Sequence, residues 1–161
     1  MSTPYWVQDS IFYQIFPDRF ANGDPQNDPP NLAPWGSPPT IHDFQGGDLR
    51  GILQRFDHLL ELGITAIYLN PIFQSPSTHR YNTADYYKID PKLGDMDDFR
   101  AMIETAHRNN VRVVLDGVFN HCGRGFFAFN DVLENGEASA YKDWFRIHRF
   151  PPDAYSAGEA V

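Results

Sequence analysis

Cysteine is nearly absent from this chain, lysine and arginine never cluster, and no apolar run is long enough to span a bilayer. Each scarcity excludes something. A single cysteine, Cys122, leaves no internal disulfide framework in the 161 residues. The balance of 13 basic against 21 acidic residues gives a formal net charge of −8. Without a basic patch, neither nucleic acid nor an anionic membrane is expected as a partner. No apolar stretch reaches the length of a membrane-spanning helix. The opening MSTPYWVQDS has no basic patch followed by an apolar core, so no signal peptide is visible and a cytoplasmic protein is expected.

What the chain does have is apolar and aromatic material: 42% hydrophobic and 15% aromatic residues, enough to bury one core of ordinary domain size. Three short apolar runs read as strands, SIFYQIF (Ser10–Phe16), TAIYLN (Thr65–Asn70) and VRVVLD (Val111–Asp116). They are nearly continuous rather than alternating, the pattern of parallel strands buried on both faces. Two helical patterns lie between them. Leu49, Ile52, Leu53, Phe56, Leu59 and Leu60 recur at helical spacing before Gly63, a good residue just past a helix end. Phe99, Met102, Ile103 and Ala106 share a second face, with Asp95 placed to cap it and Asp97 and Asp98 at the positive end of its dipole. A further helix is expected over Ala138–Phe145. The order strand-loop-helix-strand-loop-helix-strand is that of an α/β fold with right-handed crossovers.

The loops that follow the strands are unusually long, proline-rich after the first strand and tyrosine-rich after the second. Long loops all placed after strands build a site at the carboxyl end of a parallel sheet. In ANGDPQND, Asn22, Asp24, Asn27 and Asp28 offer four oxygen-bearing side chains in seven residues. Hard cations such as calcium need sets of this kind, but the same residues also make an ordinary turn. Asp48 in GGDLRG suits a helix N-cap. The tyrosines of RYNTADYY (Arg80–Tyr87) suit the apolar faces of sugar rings and equally suit a loop packed by its own aromatics. Asp116, at the carboxyl end of the third strand, faces the site side, with Asn120 and His121 just beyond. The residues alone lead to a polar site on a parallel α/β protein, one that fits a carbohydrate.

Taken together these segments resemble a known family. DGVFNH is similar to the Asp-x-Val-x-Asn-His region of the α-amylase superfamily. IFYQIFPDRFANGDPQNDP, GGDLRGI, LGITAIYLNPIFQSPSTHRYNTADYYKIDPKLGD and FFAFNDVLENGEASAYKDWF resemble its neopullulanase, cyclomaltodextrinase and maltogenic amylase branch. The resemblance runs in order from Ser10 to Phe150. It implies the first three βα units of a (β/α)8 TIM barrel, incomplete here, over residues 1–120, with the start of an inserted domain B over 121–161. It implies the N-terminal portion of a retaining hydrolase acting on α-1,4-glucosidic bonds in cyclodextrins, pullulan or maltooligosaccharides.

The resemblance assigns the nucleophile, the acid/base and a third carboxylate to barrel strands four, five and seven, for which this sequence has no counterpart. The chain alone is therefore expected to be inactive. The residues carried over hold substrate and metal. Tyr81 matches a tyrosine stacked under the sugar at the cleavage subsite, His121 a histidine bonded to that sugar, Asp85 a supporting acid, and Asp116 a carboxylate that supports the site. Asn22, Asp24, Asn27 and Asp28, with the Gly46 carbonyl and Asp48, match a calcium site. The N-terminal β-sandwich common in this branch is not expected, since the first strand begins about ten residues in. THRY at Thr78–Tyr81, where oligo-1,6-glucosidases carry Asp-Asn-Gly before the tyrosine, counts against that specificity. The alternative to an enzyme portion is a non-catalytic module that binds calcium and, weakly, sugar.

Three parallel strands do not close a barrel, so open edges and apolar surface are expected to drive self-association. Light scattering at high concentration should show species larger than one chain. A clean monomer would contradict the expectation.

Overall fold

All three apolar runs form strands, and they pair side by side in parallel. A computed structural model describes residues 3–152. In chain order the elements are α1 (Tyr5–Gln8), β1 (Phe12–Ile15), α2 (Leu49–Gln54), α3 (Phe56–Glu61), β2 (Ala66–Leu69), β3 (Phe73–Gln74), β4 (Asp85–Ile89), α4 (Met96–Arg108), β5 (Arg112–Leu115) and α5 (Phe127–Asn135), with short 3-10 turns between and after them. The main sheet has the order β1-β2-β5. Its register is level: Phe12, Ala66 and Arg112 lie in one row, and Ile15, Leu69 and Leu115 in another. Asn70 N–H then donates to the Ile15 carbonyl at 2.9 Å, and Asp116 N–H to the Leu69 carbonyl at 3.0 Å. The ladder therefore ends by presenting Asn70 and Asp116 at one edge.

The central strand alone is buried on both faces. Ala66, Ile67 and Leu69 are sealed, while Phe12 at the outer strand is 41% exposed and β5 is only partly covered. This corrects the expectation that all three strands are buried alike. The physical reason is position: β1 and β5 each have a neighbour on one side only within the described residues, so near-continuous apolar composition does not by itself ensure two covered faces.

The first helical pattern is two helices rather than one. Arg55 leaves helical geometry at φ −104°, ψ 15° and joins α2 to α3, its N–H shared between the carbonyls of Gly51 and Ile52. The apolar face survives the break, since Leu49, Ile52, Phe56 and Leu59 all enter the core. Gly63 follows at φ 72°, as its place after the helix requires. Helix α4 begins in a full capping box. Asp95 Oδ1 accepts from Asp97 N–H (2.8 Å) and Asp98 N–H (3.0 Å), and Asp98 Oδ2 accepts from Asp95 N–H at 3.1 Å. These amides hold the Asp95 carboxyl below its ordinary range. Met102 and Ala106 pack into the core beside Leu49, Ile52, Ile67 and Leu69.

Past β5 the helix lies earlier than expected. It is α5, over Phe127–Asn135, with Ala128 and Val132 buried one turn apart. The segment Ala138–Phe145 instead holds a single 3-10 turn at Lys142–Trp144 with no buried residue. Gly136, at φ 54°, ends the helical run. The tyrosine-rich loop also contains a small antiparallel ribbon, β3 with β4. Within the stretch 121–161, residues 153–161 lie outside those described. Among the described residues no helix is long and apolar enough to cross a membrane.

Gly51 lies inside α2, where alanine would ordinarily be favoured by about 1 kcal/mol. Here a Cβ would sit 1.9 Å from the Ala21 carbonyl oxygen, a backbone atom that cannot rotate away. Gly51→Ala is expected to destabilise the chain by about 1–3 kcal/mol in urea unfolding. Unchanged or greater stability would refute this close approach.

Candidate functional site

The carboxyl edge of the sheet gathers a chain of polar side chains that begins on β1 and ends after β5. Gln14 Nε2 donates to Asn70 Oδ1 at 2.8 Å, and Asn70 Nδ2 donates to the Tyr81 hydroxyl at 3.3 Å. The Tyr81 hydroxyl in turn donates to Asp116 Oδ2 at 2.7 Å. Asp116 also accepts a hydrogen bond from Tyr68 on β2. His121 closes the group from the other side, its Nε2–H donating to the Tyr81 carbonyl at 2.9 Å. The loop carrying His121 is tied down by Tyr86, whose hydroxyl donates to the Val118 carbonyl. The His79 ring stacks on Tyr81 with centroids 5.9 Å apart.

Electrostatics follow from these contacts. The Tyr81 phenol is pushed up to about 12, first by its hydrogen bond to Asp116, then by burial and by the carboxylate charge. Tyr68 moves the same way, with burial the larger cause and its bond to Asp116 next. Tyr81 therefore remains a neutral phenol, with its hydroxyl fixed. Beside His121 a cavity of about 310 Å³ opens, walled by Phe129 and Phe145 and edged by Asn120 and Arg124. An apolar wall beside a few fixed polar groups suits a ligand that is itself apolar on its faces and polar at its rim, as a pyranose ring is.

Asp85 does not join this group. Its carboxylate accepts from Tyr87 N–H at 2.8 Å and pairs with Lys88 Nζ at 3.2 Å, on a separate depression bordered by Phe127, Tyr141 and Trp144. Strand alternation explains this. Asp85 and Tyr87 share one face of β4, while Tyr86 between them turns toward the His121 loop.

The oxygen-rich loop folds around Asp48. That carboxylate accepts from the backbone N–H groups of Gly23 (3.1 Å), Asp24 (2.8 Å) and Gly51 (2.6 Å), and from Asn27 Nδ2 at 3.2 Å. The N-cap reading of Asp48 therefore holds, for the Gly51 bond is the cap of α2. Asp24 caps Gln26 N–H at 3.1 Å and pairs with Arg50 at 2.7 Å. Asn22 Nδ2 donates to Asp28 Oδ1 at 2.7 Å, and a Cβ at Gly46 would touch both of these side chains. Two buried oxygens, Asn22 Oδ1 and Asn27 Oδ1, have no hydrogen-bond partner. Orphaned buried acceptors are costly and rare, and oxygen acceptors suit a cation. Asn22, Asn27 and Asp28, with the Gly46 backbone, thus fit calcium; the carboxylates of Asp24 and Asp48 are already engaged.

Sequence reasoning missed Asn70, Gln14 and Tyr68 as site residues. A signal for Asn70 was present: it directly follows an apolar run, as Asp116 does, and level parallel strands put such residues side by side.

Residues 14–157 match the sequence family described as alpha amylase, catalytic domain. The chain belongs to the alpha-amylase family. It is 54% identical over 152 residues to neopullulanase 2 of Thermoactinomyces vulgaris, covering 93% of this chain and 26% of that protein. It is 55% identical over 148 residues to a cyclomaltodextrinase of Thermoanaerobacter pseudethanolicus, covering 92% and 26%. Among solved structures, the cyclic α-maltosyl-(1→6)-maltose hydrolase of Arthrobacter globiformis superposes with a TM-score of 0.89 at 49% identity, over 97% of this chain and 35% of that one. The chain spans about a quarter of the length of these curated relatives. In this alpha-amylase chain the open three-stranded sheet is the start of a TIM barrel, and its polar edge is the end of the barrel where such folds carry their sites.

The elevated Tyr81 phenol has a signed consequence. Its folded value of about 12 lies above the ordinary tyrosine value of about 10, so this bond stabilises the fold below pH 10 and is lost as pH rises through 12. Asp116→Asn is expected to bring the Tyr81 titration down toward about 10, followed by carbon-13 NMR of labelled tyrosine with Tyr81→Phe as assignment. An unmoved midpoint would refute the Tyr81–Asp116 contact.

Proposed function

We propose that this chain is the N-terminal part of the catalytic barrel of a retaining α-glucan hydrolase that cleaves α-1,4-glucosidic bonds in cyclodextrins, pullulan or maltooligosaccharides. Residues 1–120 contribute the barrel portion and 121–161 open domain B. The observation that carries the reading is Tyr81. Its hydroxyl is clamped between Asn70 and Asp116, and its carbonyl is held by His121. A neutral, immobilised tyrosine ring offers a flat apolar platform for a sugar. His121 at the rim offers a hydrogen bond to a hydroxyl, and Asp116 keeps the platform in place. The names of the relatives, a neopullulanase, a cyclomaltodextrinase and a cyclic maltosyl-maltose hydrolase, support the substrate class.

Retaining hydrolysis needs one carboxylate as nucleophile and a second as acid and then base. In this reading both lie on barrel strands outside these 161 residues, so the chain holds sugar without breaking the bond. Calcium belongs to the same proposal as a structural ion. Asn22, Asn27, Asp28 and the Gly46 carbonyl would hold it, and when bound it would satisfy the two orphaned asparagine oxygens and stiffen the loop before α2. Those two oxygens also favour the second reading, a calcium-binding module with weak affinity for sugar.

Calorimetry and an activity assay separate the readings. The purified chain is expected to release no maltose from maltooligosaccharides, and robust release free of host amylase would overturn the division of labour. Calcium titration should give a binding heat that Asn27→Leu weakens by about 10–100-fold, the cost of disturbing groups around a metal. Maltotriose should bind weakly, since much of the pocket wall is missing, and only while Tyr81 is present. Calcium heat with no sugar heat at any concentration would favour the module.

A further inference from the structure

Arg80, the residue before Tyr81, combines two costly features. Its backbone lies in the left-handed region at φ 59°, which residues with a Cβ rarely adopt. Its side chain is 1% exposed, in a position where an unpaired charge is untenable. The fold holds it through four of its polar atoms and leaves the buried Nη2 without a hydrogen-bond partner. Nε donates to Asp90 Oδ2 at 2.9 Å, within a pair whose side chains are 1% and 0% exposed. Nη1 donates to the Thr78 carbonyl at 2.8 Å. The backbone N–H donates to Ser77 Oγ at 3.2 Å, and the backbone carbonyl accepts from Thr83 Oγ1 at 3.3 Å.

Asp90 is itself fixed at the end of β4. Its N–H donates to the Ile72 carbonyl at 2.9 Å, and its Oδ1 accepts from Lys92 N–H at 3.0 Å. The charge of Arg80 also acts on buried Asp18 beyond β1, helping to offset the burial that pushes that carboxyl up. A core needing only volume is served as well or better by an apolar residue. What the buried pair adds is direction, because a guanidinium fork accepts few geometries.

We propose that Arg80 is the positioning residue of the sugar site: tied to Asp90 and to the Thr78 carbonyl, it holds the chain in the left-handed turn that delivers the Tyr81 hydroxyl to Asp116 and the Tyr81 carbonyl to His121. Its bearing on substrate rests on the reading of Tyr81 given above, whereas its geometry does not. A loop without this tie keeps the same residues but lets the tyrosine swing, so the platform is present and unaimed.

The test is the ionisation of Tyr81, whose titratable neighbours are Asp116, Tyr68, His79 and His121. The double variant Arg80→Ala with Asp90→Asn removes the guanidinium without stranding a buried carboxylate, and alanine, like arginine, carries a Cβ that disfavours the left-handed turn. In the folded double variant, checked by circular dichroism, Tyr81 is expected to titrate near the ordinary value of about 10 instead of about 12. Arg80→Lys keeps a charge for Asp90 but loses the fork, and should fall between. Tyr81 still near 12 in the folded double variant would overturn the proposal, since a merely structural role lowers the melting temperature and leaves the titration in place. If the double variant does not fold, an unmoved titration in Arg80→Lys overturns it equally. Absence of maltotriose binding to the unaltered chain, with the titration shift intact, would sink the sugar reading and leave the positioning role standing.

Discussion

The level parallel register of β1, β2 and β5 is the constraint on which the site depends. Ile15, Leu69 and Leu115 end in one row, so whatever follows each strand emerges at the same edge. Asn70 and Asp116 become neighbours for that reason, although 46 positions separate them in the numbering. Because side-chain direction alternates along a strand, a one-residue slip would turn a strand's whole side-chain set to the opposite face. The buried β2 prevents that slip, for Ala66, Ile67 and Leu69 have no exposed surface to trade. Core packing thus sets the geometry of polar groups that are not themselves in the core.

Charges and amides fix the loops at this edge, in addition to the apolar packing of residues such as Ile72 and Ile89. Asp48 collects three backbone N–H groups and one side-chain amide, converting a glycine- and proline-rich stretch into a fixed turn against α2. Arg80 and Asp90 do the same for the tyrosine loop. A buried ion pair adds little net stability compared with apolar residues, yet losing one partner costs about 3–5 kcal/mol. Such a pair therefore penalises wrong arrangements more than it rewards the right one. That fits the role proposed for Arg80 in placing the Tyr81 ring.

Much of this plan was legible in the amino-acid order. Apolar runs gave the three strands to within two residues, and Asp95 was legible as the cap of α4, which the structure completes into a capping box through Asp98. Asp116, Tyr81 and His121, which the structure brings together, carry local signals: a carboxylate after a strand, a tyrosine loop and the DGVFNH segment. Asp85 lies apart from them, since neighbouring residues of a strand point to opposite faces and the loop was not legible as a ribbon. The helix after β5 was misplaced because Ala138–Phe145 has helical residue types but no fully buried apolar residue, whereas Ala128 and Val132 are sealed in the core.

The sequence by itself determined the three parallel strands, the capped start of α4 and the family, because each rests on local pattern or on motifs in register. Only the tertiary structure decided which side chains meet. Tyr81 bonds Asp116 across 35 positions, Gln14 bonds Asn70 across 56, and Asp48 and Asp24 anchor amides and an arginine. Those outcomes depend on register, on strand faces and on a left-handed residue at position 80, none of which a one-dimensional pattern encodes.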